Sequence, residues 1–152
     1  LHLVTMNTAS LNSYFLNFTF IYYIYSQPSN YVRHIQQQEG YINHLQSITA
    51  FDTLRDDSGV FLLFFYKTKC NYCLPKFIEI YQWLERSRST ALYQIDIDHY
   101  PELKKYIADK TNTKIKPPLV LMIKDQQVVD SRSGTKISDS NIQTAYEELV
   151  LS

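Results

Sequence analysis

Glycine is scarce in this chain: three residues out of 152, and none of them forms a glycine-rich phosphate-binding loop. Cysteine is scarcer still, with two residues three positions apart, Cys70 and Cys73. Such a pair cannot staple distant parts of a chain, so a disulfide-framework fold is excluded. Charge of either sign is not in excess: 15 Lys and Arg balance 15 Asp and Glu. No basic stripe is visible, and bulk attraction to nucleic acid or to an anionic membrane is not expected. The longest apolar run outside the core pattern, Tyr14 to Tyr25, is interrupted by Asn17 and Thr19. It falls short of the roughly 18–20 residues a membrane helix needs. No Lys or Arg precedes it and no small-x-small cleavage site follows it, which argues against a signal peptide. The four histidines, His2, His34, His44 and His99, are scattered and do not assemble the four ligands of a zinc site.

Apolar side chains, by contrast, are plentiful. They make up 45% of the chain, with 13 Tyr and 8 Phe, enough for one domain with a true core rather than a disordered segment. Residues 26–40 are polar, contain Pro28 and end on Gly40, and read as a linker. The expected organisation is an N-terminal extension and linker over residues 1–40 and a domain over 41–152. Residues 14–25 read as a strand or helix packed on the domain, with a membrane anchor, a degenerate export signal and disorder as alternatives. The chain opens on Leu1, so Met6 is an alternative start or the chain is a fragment. A cytoplasmic location is expected, a membrane-tethered or extracytoplasmic one being the alternative.

From Tyr41 the pattern turns regular. Residues 41–46 suggest a short strand and 49–57 a short helix. Val60 to Tyr66 is an unbroken apolar run between a turn signal and Lys67, the mark of a central strand buried on both faces. After Cys73, the residues Leu74, Phe77, Ile78, Tyr81 and Leu84 recur at helical spacing. Residues 91–97 suggest a strand. Pro101 suits a helix start, followed by a stripe of Leu103, Tyr106 and Ile107. Leu119 to Ile123, a turn at Asp125-Gln126, and Gln127 to Ser131 make a hairpin. Ser140 and Gln143 have capping-box spacing ahead of a last helix. The order β-α-β-α-β-α-β-β-α predicts an α/β fold with a mixed sheet, mostly parallel, carrying an antiparallel terminal hairpin and flanked by helices.

The chemistry lies in Cys70-Asn71-Tyr72-Cys73, between a buried strand and a helix. Free N–H groups and the dipole at a helix start favour an anion, so a Cys70 thiolate is stabilised there. Lys67, Lys69 and Lys76 add positive charge nearby, and a Cys70 pKa below the value of about 8.5 for a free thiol is expected. Cys73, one turn on, is expected to be more buried and placed to attack a mixed disulfide formed at Cys70. Two plain core cysteines are the alternative. Far downstream, Pro117-Pro118 directly precedes a strand and is a candidate cis peptide, with an ordinary rigid loop as the alternative. Asp96 and Asp98 read as a solvated strand end, and Trp83 as helix packing.

These features together resemble the thioredoxin superfamily over roughly residues 41–152. The resemblance implies a cis proline beside the redox pair, matched by Pro118, whose neighbouring backbone pairs with an extended substrate. Gly134 matches the glycine that follows the hairpin in that family. Three departures stand out. Lys69 and Asn71-Tyr72 replace the Trp and Gly-Pro of thioredoxins proper. The tyrosine resembles the glutaredoxin Cys-Pro-Tyr-Cys motif without its proline. Phe64 stands where thioredoxins bury an acid. The Lys67-to-Cys73 stretch and Val129-to-Ser133 are also similar to Gram-positive thioredoxin-like proteins labelled bacteriocin transport accessory proteins.

The resemblance implies a thiol–disulfide oxidoreductase acting on a protein or peptide disulfide or thiol pair. Cys70 and Cys73 would be catalytic, Tyr72, Pro117 and Pro118 would meet substrate, and Lys69 and Asn71 would modulate the thiol. No metal or organic cofactor is expected, since electrons pass through the cysteines, and the chain is expected to be a monomer. A non-catalytic thioredoxin-like accessory module is the alternative.

Overall fold

The computed structural model describes residues 43–151, apart from residues 58 and 88–90. The expectations for residues 14–25 and 26–40 lie outside the described residues. The elements in chain order are β1 (Asn43–His44), α1 (Ile48–Asp57), β2 (Val60–Tyr66), α2 (Leu74–Ser87) and β3 (Leu92–Asp96). They continue with α3 (Pro101–Thr111), β4 (Leu119–Lys124), β5 (Gln127–Ser133), a single 3-10 turn (Gly134–Lys136) and α4 (Asp139–Leu151).

The strands form one mixed sheet in the order β1-β3-β2-β4-β5. The apolar run Val60 to Tyr66 lies at its centre with every residue after Val60 buried. β3 runs parallel to both β1 and β2, whereas β4 is antiparallel to both β2 and β5. The antiparallel share is thus larger than the alternation of helices and strands implied. The reason lies after α3. Asn112 closes that helix in the left-handed region at φ 50°, and its N–H reaches the carbonyl of Ala108. Residues 112–118 then return the chain to the C-terminal end of β2 instead of to its start. Leu119 consequently faces Phe65, and Lys124 faces Val60.

Alternation along β2 sends side chains to two cores. Phe61, Leu63 and Phe65 join Phe51 of α1 and Leu103 and Ile107 of α3. Phe64 and Tyr66 meet α2 on the other face, where both rings pack against Phe77 with centroids at 5.2 and 5.0 Å. The buried stripe of α2 is Phe77, Ile80, Tyr81 and Trp83: Phe77 and Tyr81 are buried as expected, whereas Leu74, Ile78 and Leu84 are only partly buried. The stripe is shifted because α2 is covered twice, by the sheet and by α4. Trp83 fills the second contact: its Nε1–H donates to Gln143 Oε1 at 2.8 Å, and its ring meets Tyr146 edge-on. Gln143 is therefore spent on Trp83, and the expected Ser140–Gln143 capping box is not what starts α4. Ser138 caps it instead, its Oγ accepting the N–H of Asn141 at 3.2 Å, while the Asp139 N–H donates to Glu79 at 2.7 Å.

The β4–β5 turn places two non-glycine residues at positive φ, Asp125 at 50° and Gln126 at 70°. Tight hairpin turns of this kind favour Asp-Gly or Asn-Gly because glycine bears no cost there. A Gln126→Gly variant is expected to unfold at higher urea concentration, with a gain of about 1 kcal/mol. An unchanged or lower midpoint would show that the turn holds no backbone strain.

Candidate redox site

Between β2 and α2 the chain winds through a turn that carries both cysteines. The Cys70 carbonyl accepts the N–H groups of Cys73 and Leu74, at 3.1 and 3.3 Å. Regular helix begins at Leu74, so Cys70 sits in the turn before α2 rather than within its first turn. Cys73 is the residue at the cap: its carbonyl accepts the N–H of Phe77 at 3.3 Å. Pro75 takes the second helical position, where a missing N–H costs no intrahelical bond. The Sγ of Cys70 accepts the N–H of Cys73 at 3.1 Å. An N–H aimed at this sulfur favours charge on it once the pair is reduced, in the same sense as the helix start.

The two sulfurs are joined in a disulfide with Cα atoms 5.1 Å apart, within the usual range for such a bridge. The partners are unequal in exposure. Cys73 is fully buried, Cys70 is half-buried, and Tyr72 between them is 81% exposed. Lys69 and Asn71 are exposed on either side of Cys70.

The antiparallel course of β4 brings Pro117 and Pro118 to this end of the sheet, and the peptide bond between them is cis. Together with Tyr72, Ser131, Ser133 and Gly134 they line an open groove of about 560 Å³. Gly134, at φ +57°, holds the left-handed conformation in open space. The structure therefore brings Tyr72, from within the cysteine turn, to one groove with Pro117 and Pro118, while Lys69 and Asn71 adjoin Cys70 in the chain.

Beneath α2 there is no carboxylate at the position of Phe64, which is fully buried. Its register neighbour on β3 is Gln94, 1% exposed, whose side-chain amide has no hydrogen-bond partner among the described residues. The expectation of a solvated strand end at Asp96 and Asp98 fails for Asp96. Alternation places Asp96 on the same buried face as Gln94, and it is only 9% exposed. It is satisfied locally by His99 Nδ1 and by the Asp98 N–H at 3.1 Å. Asp98 itself is exposed. Burial first, and then neighbouring Asp96 and Tyr100, hold the Tyr66 phenol well above the ordinary tyrosine range. Sequence reasoning missed this cluster, although the spacing Asp96-x-x-His99 after a strand was there to be read.

Fold and site define a thioredoxin-fold protein with a redox-capable cysteine pair. More narrowly, the chain belongs to the family described as monothiol bacilliredoxin BrxC, whose model matches residues 43–142. The family name speaks of one thiol, whereas this chain bonds two. Among curated proteins, none matches significantly. Among solved structures, a proposed oxidoreductase with a thioredoxin fold is 21% identical, covering 71% of this chain and 96% of its own, at a TM-score of 0.64. Oxidised thioredoxin from Plasmodium falciparum is 18% identical, covering 70% and 96%, at 0.56. Oxidised mitochondrial thioredoxin 3 from Saccharomyces cerevisiae is 19% identical, covering 70% and 94%, at 0.57. At these identities the likeness is one of fold.

Proposed function

We propose that this protein is a thiol–disulfide oxidoreductase acting on protein or peptide disulfides. The observation that carries the reading is the asymmetry of the pair: a half-buried Cys70 bonded to a fully buried Cys73, with Tyr72 between them lining an open groove. In the reduced protein the Cys70 thiolate attacks a substrate disulfide. A Cys70–substrate bond forms, and the first substrate sulfur leaves as a thiolate. Cys73 then gives up its proton and attacks the Cys70 sulfur. The Cys70–Cys73 disulfide forms and the second substrate thiolate leaves. Two electrons pass from the pair to the substrate, and an external dithiol restores the reduced pair. Tyr72, Pro117 and Pro118 shape the surface the substrate meets, and Lys69 adds positive charge beside the nucleophile. The chain's own sulfurs carry the electrons, so the cycle calls for no metal or organic cofactor.

Phe64 favours a second reading, a thioredoxin-like interaction module. With a buried ring in place of an acid, the general base that would help deprotonate Cys73 is lacking at that position. Reduction of insulin by dithiothreitol separates the two. The protein is expected to accelerate the precipitation of the reduced B chain; a rate equal to the protein-free control would favour the module.

A further inference from the structure

The three segments that meet at the groove share a feature of charge. Residues 58–78, 110–124 and 131–138 contain no Asp or Glu, although the chain as a whole has equal numbers of acids and bases. Lys67 and Lys69 precede Cys70 and are exposed, and Lys114 and Lys116 are exposed on the wall of the groove. None of these four lysines enters an ion pair among the described residues, whose ion pairs use Arg55, Arg86, Arg132 and His99. The nearest carboxylate on β5, Asp130, alternates to the face opposite Ser131 and Ser133 and is held by Arg132 at 2.8 Å. Its charge is thus turned away from the groove and already matched.

The floor adds a second constraint. Pro117 and Pro118 are consecutive and neither has an N–H. A substrate backbone laid along them can donate to their carbonyls but can accept nothing in return. Two-way strand pairing at this point is lost, and side-chain charge has more of the recognition to do.

We infer that the groove selects disulfide-bearing peptides whose cysteine is flanked by acidic residues. Lys67 and Lys69 precede the nucleophile in the chain and Lys114 and Lys116 line the groove next to Tyr72, so the exposed charge around the site is positive, which suits carboxylates beside a peptide cysteine. This inference rests on the oxidoreductase reading above. Charge of one sign lining a cleft raises the encounter rate of an oppositely charged partner.

The test uses three synthetic peptides with the same intrachain disulfide, flanked by Glu, by Ser or by Lys, and the reduced full-length protein. At low salt, the Glu peptide is expected to be reduced with a kcat/KM about tenfold above that of the Lys peptide. The gap should close in 1 M NaCl, where the Debye length shrinks to about 3 Å. The double variant Lys114→Glu/Lys116→Glu should reverse the order of the peptides. Lys104→Glu/Lys105→Glu on α3, with the same change in net charge, should keep it. Equal rates for all three peptides, or reversal by the α3 variant as well, would overturn the charge preference and leave the oxidoreductase reading standing. Reduction of none of the peptides would overturn both.

Discussion

A Cys73→Ser protein is expected to accumulate as a covalent adduct with its substrate, while Cys70→Ser forms no adduct. The prediction follows from the unequal exposure of the two sulfurs. Cys70 is half-buried and its sulfur accepts the Cys73 N–H at 3.1 Å, so it can be reached from outside and its anion is favoured. Cys73 is fully buried, and its bond to Cys70 shows it within reach of that sulfur. Serine at 73 removes the group that would release the mixed disulfide but leaves the attack intact. Serine at 70 removes the attack itself, and turnover should fall by a thousandfold or more, deletions of a nucleophile costing up to about 10⁶ elsewhere. Non-reducing electrophoresis and intact mass measurement after mixing with a disulfide peptide read both outcomes. Undiminished turnover by Cys73→Ser would mean that Cys70 works through an external thiol, in keeping with the single thiol in the family's name.

Phe64→Ala should cost about 3–5 kcal/mol, a large part of the 5–15 kcal/mol that holds a typical domain together. Phe64 has no exposed surface and lies in the central strand. Its ring stacks on Tyr66 at 5.9 Å and meets Phe77 edge-on at 5.2 Å. Phe77 in turn donates its N–H to the Cys73 carbonyl. The cavity left by alanine would therefore open directly beneath the start of α2, where the neighbours are rings that cannot collapse into it without leaving their own contacts. Urea unfolding followed by circular dichroism measures the loss. A change below about 1 kcal/mol would show that this ring does not anchor α2 to the sheet.

The sequence makes the apolar run Val60 to Tyr66 easy to place, because burial on both faces removes the alternation that an edge strand would show. The cysteine turn, the Pro101 helix start and the Asp125-Gln126 hairpin are local signals, set by residues next to each other in the chain, and each is found where expected. What escaped depends on distant partners. Nothing in residues 112–118 states that β4 will run against β2. In one dimension Ser140, with Gln143 at capping-box spacing, is the stronger capping signal than Ser138, which has Asn141 there, until Trp83 claims Gln143. Asp96 reads as part of a solvated strand end because only the sheet's pairing shows that it faces inward beside Tyr66. The groove is a partial case. Its prolines were legible by motif, whereas its charge emerges only when three acid-free segments are seen to meet.

The reversed course of β4 also orders events during synthesis. Residues 70–73 leave the ribosome well before residues 113–134, so a growing chain bears both thiols while the strand beside β2 and the rest of the groove that Tyr72 lines are still unmade. On the oxidoreductase reading proposed above, discrimination among partners is thus acquired late: an unfinished molecule has the cysteine pair, and the completed sheet supplies the choice.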